Sequence, residues 1–600
     1  MASKLFYWMV FTQGPDQKWS NAQFAQLSQF IRQNKDWPAL GKMISLAEKS
    51  MPDMPPADVV AWYNDYPPET AKGMDQYMQA MLATGQSEKA RVTMAEWWAN
   101  KPLGREEQQS IFRKYFSYLE RSAHEKRVDN LLFKKQFTNA RAIAAILGAG
   151  WPELVEARIA LAENKPGIEA FLRKVPANLQ ENAGLMYERL HWRRENDLDL
   201  EAIEILHRQP PADQIQNLDD WWKERHIMIR RLLEEKNYQS AYLLAKDHEQ
   251  SEGVPFAEAE FMKGWLALRF LNQPATALQS FELLHSKVVT SMSKSRAAYW
   301  AGRASKSLGN EENANRWFSL AAQNRTLYYG QLAAAELSMG VALPATPPPT
   351  ITDADKTRYE ANDLVQAARI LNAAGMRSQT SQFIQAFVKS DKTSMGYMYG
   401  AVMASEMGRY HDAVRIAKDA TNEGLFLTAQ SYPLVVDRLR GINTEWALVH
   451  AIIRQESMFD YDAQSPAGAL GLMQVMPATG AEVARKLGVG HSTAMLLNNP
   501  NHNIQLGSAY LDRLLQKFGG SYVMTIAGYN AGPGRVDTWV RQFGDPRIGS
   551  DLDQIDWIEM IPISETRNYV QRVLENVYVY RLRLKGKQPP PTYDIHIAMP

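Results

Sequence analysis

The chain has 600 residues and no cysteine. Disulfides, thiolate zinc sites, cysteine nucleophiles and iron–sulfur clusters are therefore excluded, and a thiol-free chain of this length is compatible with an oxidising compartment. An excess of charge is also lacking. Lys and Arg number 67 and Asp and Glu 66, a formal net charge of +1. That argues against a nucleic-acid binder or a polybasic membrane-surface protein driven by bulk charge, while leaving room for a local patch. Long apolar runs are missing. An uncharged stretch of the C-terminal region, residues 463–481, is broken by Pro466, Pro477, Gln474 and several glycines, so it reads as turns and not as a lipid-spanning helix. At the N-terminus, Lys4 precedes seven apolar residues, Leu5 to Phe11. They resemble a short signal h-region with no clear small-x-small cleavage site, and they are set aside from the fold expectation as a signal remnant or the start of a mature chain. The 11 histidines are scattered, with no His-Glu-x-x-His pattern, and no phosphate-binding Gly-Lys-Ser/Thr loop or dinucleotide fingerprint occurs. No metal and no cofactor is expected.

What is present is ordinary in bulk. Apolar residues make up 45% and charged residues 22%, as in a folded globular chain, and the length suggests about three to five domains. The 16 Trp and 25 Tyr are expected chiefly to pack helix on helix, with some lining a carbohydrate or peptide groove. From about residue 20 to 340, apolar residues recur at spacings of three and four, as in Phe24, Leu27, Phe30 and Ile31. A turn signal repeats. Gly85, Asn272, Gly309 and Gly408 each follow an apolar helix and precede an alanine by five residues, at Ala90, Ala277, Ala314 and Ala413; Asn237 with Ala241 is a looser copy. A left-handed turn residue followed by a small residue is what a tight helical hairpin needs. Gly264 and Gly302 also match at a 38-residue offset. Degenerate helical repeats of this kind stack into a curved solenoid.

The run Leu343-Pro344-Ala345-Thr346-Pro347-Pro348-Pro349 cannot be helical and reads as a stiff connection. Helices resume at about Asp355 and continue to about Asn422, and the composition changes near Tyr432. In the segment Asn443 to Ser457, Asn443 or Thr444 suits an N-cap and Glu445 a first turn. Val449, Ile452 and Ile453 form an apolar stripe, and the carboxylate of Glu456, seven, four and three residues on, leaves from the same face. A carboxyl there loses hydration, keeps its proton towards neutral pH and can act as a general acid on a glycosidic oxygen. The alternative is a carboxylate paired with Arg454 or lying at the frayed helix end.

Three further runs follow: Ser465-Pro466-Ala467-Gly468-Ala469-Leu470-Gly471-Leu472-Met473-Gln474-Val475-Met476-Pro477, then Ala527-Gly528-Tyr529-Asn530-Ala531-Gly532-Pro533-Gly534, then Ile561-Pro562-Ile563-Ser564-Glu565-Thr566-Arg567-Asn568-Tyr569-Val570. In this order and spacing the set resembles the catalytic domain of the soluble lytic murein transglycosylases, and the preceding helices look like that family's long members. The resemblance implies an all-α fold: a superhelical ring of stacked helix pairs (1–342), a Pro-rich connection and small helical linker domain (343–430), and a C-terminal lysozyme-like catalytic domain (431–600). It implies non-hydrolytic cleavage of the β-1,4 bond between N-acetylmuramic acid and N-acetylglucosamine in peptidoglycan, with 1,6-anhydromuramyl ends and no cofactor. On it, Glu456 is acid and then base, and one carboxyl suffices where other glycosidases use two.

By the same resemblance Ser465 faces the substrate N-acetyl region, Gln474 hydrogen-bonds sugar, Met476 makes an apolar cleft contact, Tyr529 lies near Glu456, Glu565 sits at the cleft, and Asn530 holds its turn. Each residue also has a plainer reading: Ser465 a turn cap, Met476 core filler, Tyr529 a core aromatic, Glu565 an ion pair with Arg567, and Arg567 a structural pin. Two rival functions remain open at this point. A hydrolytic muramidase on the same fold would need a water-positioning carboxylate, for which Asp460, Asp462 or Glu565 are candidates. A non-enzymatic repeat scaffold would leave the Glu456, Gln474 and Tyr529 set without a role. The expected partners are peptidoglycan glycan strands and muropeptides, with no nucleic acid, and the expected location is the periplasm.

Overall fold

The computed structural model describes residues 1–13, 21–148, 150–340, 342–344, 347–548 and 553–586. The fold is all-α. Among the described residues there is no strand, only two isolated antiparallel bridges, Gln464 with Leu470 and Leu470 with Val475. The chain divides into two compact units, Met1–Met228 with Asp247–Gln250 and Ile229–Lys246 with Ser251–Pro600.

The first unit is a succession of short helices joined by tight turns. Its first helix, Ala2–Gln13, contains Leu5 to Phe11. Leu5, Trp8 and Phe11 are buried, and the Trp8 indole donates to the Pro38 carbonyl at 2.9 Å. A spacing of three places all three side chains on one helical face, so the stretch is a docked amphipathic helix. The hairpin signal is seen at Ala71–Ala83 and Ser87–Asn100, where Gly85 has φ 74° and Ala90 is fully buried.

The second unit repeats that device. Asn272, Gly309 and Gly408 have positive φ, and Ala277, Ala314 and Ala413 are fully buried. At the looser copy it is Lys236, and not Asn237, that turns left-handed. The match of Gly264 with Gly302 has a packing cause. A Cβ on Gly264 would lie 2.6 Å from the Phe281 ring, and one on Gly302 2.5 Å from the Phe318 ring. Each pair joins helices Gly253–Arg269 with Pro274–Lys287 and Ser291–Ser307 with Glu311–Ala321, so a missing side chain on one helix admits an aromatic ring from the next. Residues 342–344 and 347–349 carry no helix, while Ala345 and Thr346 of the Pro-rich connection lie outside the described residues. Helices then run from Asp353–Glu360 to Tyr410–Asn422.

Helix Trp446–Glu456 lies at the centre of the C-terminal segment, with Val449, Ile452 and Ile453 fully buried. It packs along the 20-residue helix Ser564–Arg583. The expected cap does not form. Glu445 is the N-cap and makes no side-chain cap bond, because its carboxylate is taken by the Arg581 guanidinium, at 2.6 and 2.9 Å, and by the Tyr522 hydroxyl, at 2.5 Å. The Thr444 hydroxyl donates instead to the Ser508 carbonyl. A carboxylate paired bidentately with an arginine is held in one geometry by two charge-assisted hydrogen bonds. No helix among the described residues is long and apolar enough to cross a membrane.

Candidate active site

Glu456 is the last residue of its helix, and the chain leaves it abruptly. Met458 and Phe459 have φ of 49° and 66°, a conformation that costs a non-glycine residue energy and is held here by the buried Phe459 ring. The Glu456 carboxyl is half-buried. Its Oε1 accepts a hydrogen bond of 2.6 Å from the Tyr569 hydroxyl, and its Oε2 has no partner among the described residues. Burial strips hydration from the ionised form and pushes the pKa up; the Tyr569 hydroxyl opposes this and the charge of Glu565 adds to it, leaving the group at about 7. Arg454 does not neutralise it. That guanidinium donates to the Ser431 carbonyl at 2.7 Å and to Asn576 Oδ1 at 2.8 Å, and lies 4.3 Å over the Tyr432 ring.

The loop 463–476 is folded on itself by the two isolated bridges and pinned to helix Pro500–Lys517 by one buried amide. Asn503, fully buried on helix Pro500–Lys517, accepts from the Met473 amide at 2.9 Å and donates to the Leu470 and Leu496 carbonyls at 2.8 and 3.0 Å. Gly471 is required at this crossing. Its φ is 74°, and a Cβ would lie 2.3 Å from the Leu496 carbonyl oxygen. The Ser457 hydroxyl donates to the Leu472 carbonyl at 2.9 Å, which fastens the loop beside Glu456.

The Tyr529 hydroxyl donates to the Met473 carbonyl at 2.8 Å, and burial together with the nearby Glu456 charge pushes its pKa well up. Gln474, at φ 46°, donates its amide to the Ala463 and Gly471 carbonyls at 3.0 and 2.8 Å, which leaves its Oε1 without a donor among the described residues. The Ser465 hydroxyl accepts from the Ala469 amide at 2.9 Å, so it does close its turn. Met476 is 42% exposed and is not core. Glu565 is exposed in the first turn of Ser564–Arg583 and is not paired with Arg567. Arg567 is a pin, donating to the Ile561 carbonyl and the Ser564 hydroxyl. Asn530 accepts from the Thr566 hydroxyl at 2.6 Å, holding the turn against the same helix. No hydrogen bond among the described residues links Ser465, Gln474, Met476 or Glu565 to Glu456.

Three residues of the site lie outside the sequence expectation. Tyr569 stands four residues after Glu565, hence on the same helical face, and that spacing was the available signal. Asn503 and Arg377 had none. Arg377 donates to Asp460 at 3.2 Å, pairs with Asp462 at 3.0 Å, hydrogen-bonds the Tyr461 hydroxyl and lies 4.4 Å over its ring. Two of the candidate water-positioning carboxylates are thus engaged with a cation from helix Arg377–Ser390. No group of three or more His, Asp or Glu among the described residues is arranged to hold a metal ion. The arrangement offers one carboxyl able to carry a proton near neutral pH, set beside the Tyr569 and Tyr529 hydroxyls and the loop that Ser457 fastens.

Residues 438–550 match the Transglycosylase SLT domain family, and residues 560–589 match the Soluble lytic transglycosylase helical domain family. The soluble lytic murein transglycosylase of Escherichia coli K12 is 40% identical over 138 residues, 23% of this chain and 21% of that one. The protein of the same name from Salmonella typhimurium is 36% identical over 158 residues, 25% and 24% of the two chains. The aligned stretch therefore spans about a fifth to a quarter of these curated relatives. Among solved structures, an inactive mutant of the lytic transglycosylase Slt from Pseudomonas aeruginosa superposes with a TM-score of 0.73 at 23% identity, over 95% of this chain and 91% of that one. The 70 kDa soluble lytic transglycosylase of E. coli does so with a TM-score of 0.67 at 21% identity, over 97% and 91%. At these identities the superpositions establish a shared fold.

Proposed function

We propose that this chain, which matches the soluble lytic transglycosylase families over residues 438–550 and 560–589, cleaves the β-1,4 bond between N-acetylmuramic acid and N-acetylglucosamine in peptidoglycan, with Glu456 as the catalytic carboxyl. Glu456 protonates the departing glycosidic oxygen. The muramyl C6 hydroxyl then bonds to C1, and its proton passes to the same carboxylate. The product is a 1,6-anhydromuramyl end, and no water is consumed. Attack by a hydroxyl of the substrate itself is intramolecular, so orientation supplies much of the rate.

The observation that carries this reading is the Glu456 carboxyl, held near pH 7 by burial, with one oxygen fixed by Tyr569 and the other open. A general acid works best with a pKa close to the working pH. The engagement of Asp460 and Asp462 by Arg377 removes two of the three carboxylates that a hydrolase could use to activate water, and leaves Glu565 as the third. The Gln474 carboxamide oxygen, Ser465, Met476, Tyr529 and the exposed Glu565 supply the sugar-binding walls. Residues 20–340 position glycan strands or their peptide stems, and the murein substrate places the protein in the periplasm. The test is Glu456→Gln on purified murein sacculi. Retained binding with loss of muropeptide release is expected, and wild-type-like release by the folded variant would overturn the assignment.

A further inference from the structure

Helix Ser564–Arg583 presents two functional faces. At 3.6 residues per turn, residues four apart share a face and residues two apart lie about 200° round the axis. Glu565 and Tyr569 therefore share the face that meets Glu456, and Arg567 and Gln571 share the opposite one. That second face closes on Glu559, a fully buried carboxylate on helix Gln554–Met560. Glu559 Oε1 accepts from Gln571 at 2.8 Å and from the Tyr329 hydroxyl. Its Oε2 accepts from Arg296 at 2.9 Å, and Arg567 Nε stands 3.9 Å away. Arg230 donates to the Glu559 backbone carbonyl, and Glu258 adds negative charge among these guanidiniums. Burial opposes ionisation of Glu559, but Arg296, Arg567, Tyr329 and Arg230 outweigh it and hold its pKa below the ordinary value.

Arg296 belongs to helix Ser291–Ser307 and Tyr329 to helix Tyr328–Glu336, both in the helical array and not in the segment that bears the catalytic motifs. We propose that Arg296 and Tyr329, acting through Glu559 and the Arg567–Gln571 face, are positioning residues that set the rotation of helix Ser564–Arg583 and thereby the Tyr569–Glu456 hydrogen bond. The array then takes part in the chemistry as well as in holding glycan. A buried ion cluster is a poor device for stability alone, because well-packed apolar side chains of the same volume are often at least as stable. What directed charge pairs add is a single geometry. Geometry matters here, since a displacement of about 1 Å at a reacting group can cost on the order of a hundredfold in rate. None of these residues touches Glu456; their effect is carried by the helix.

The inference rests on the reading of Glu456 as the acid, and its test separates the two. Full-length Tyr329→Phe and Glu559→Gln are compared with wild type and with Arg296→Lys, measuring kcat and KM for release from sacculi between pH 4.5 and 9, together with thermal midpoints. Tyr329→Phe deletes one oxygen and Glu559→Gln keeps the shape of the side chain. We expect kcat to fall on the order of tenfold with KM within about twofold. The alkaline limb should move up, because the Tyr569 bond that favours ionised Glu456 is weakened. Arg296→Lys, which keeps the charge, should retain most of the activity. If Glu559→Gln fails to fold, Tyr329→Phe decides. Variants with lowered midpoints but wild-type kcat and an unmoved alkaline limb would show a merely structural network and overturn the inference alone. A wild-type chain without turnover would overturn the functional reading and the inference with it.

Discussion

Replacing Glu456 with glutamine should change stability as well as activity, and the stability change should depend on pH in a defined direction. In the folded chain the carboxyl is raised from 4.5 to about 7, chiefly by burial. Between those values the folded state holds a proton that the unfolded state has released, so the contribution of Glu456 to stability is full below about pH 4.5 and declines as pH rises to about 7. At 1.36 kcal/mol per unit the loss is about 3 kcal/mol above pH 7.5. Glu456→Gln carries no charge at any pH and can still accept the Tyr569 hydroxyl. Its stability relative to wild type should therefore be near zero at pH 4 and favourable by up to about 3 kcal/mol at pH 8.5. Urea unfolding followed by tryptophan fluorescence at a series of pH values reads the difference. A pH-independent difference between the two chains would mean that Glu456 titrates as an ordinary surface carboxylate, and the argument that it is a poised acid would fail.

Three other perturbations probe the same construction. Tyr569→Phe removes a hydrogen bond to the ionised form, so the Glu456 pKa should rise by about one unit and the alkaline limb of kcat should move up by as much, read from a pH–rate profile. Asn503→Ala removes two hydrogen bonds that pin the 470–473 loop and a third to the Leu496 carbonyl, and should cost about 3 kcal/mol in chemical denaturation while raising KM. Gly302→Ala forces a methyl against the Phe318 ring and should destabilise by about 1–3 kcal/mol in a thermal melt, with kcat for sacculus release close to wild type at temperatures where the variant is folded.

Local patterns were readable in the sequence, and long-range ones were not. The hairpin turns at Gly85, Asn272, Gly309 and Gly408 follow from a short-range rule, a left-handed residue and then a small one, and the structure has them at those positions. The apolar stripe that carries Glu456 is likewise a property of a single helix. Tyr569 meets Glu456 across 113 residues of chain, and Arg377 meets Asp460 across 83, so no periodicity could pair them. Glu445 shows why a local rule fails: it has the right position to serve a helix start, but Arg581, 136 residues on, competes for it and wins through a charge-assisted pair.

The most direct measurement is the mass of the muropeptides released from purified sacculi by the full chain. Intramolecular attack of the C6 hydroxyl retains the loss of one water, about 18 Da, relative to a reducing muropeptide, and leaves no end for borohydride to reduce. The account predicts such lighter, borohydride-resistant products, absent with Glu456→Gln. Hydrated, reducible ends would contradict it; they would make the protein a hydrolase that frees Asp460 or Asp462 from Arg377, or recruits Glu565, to activate water.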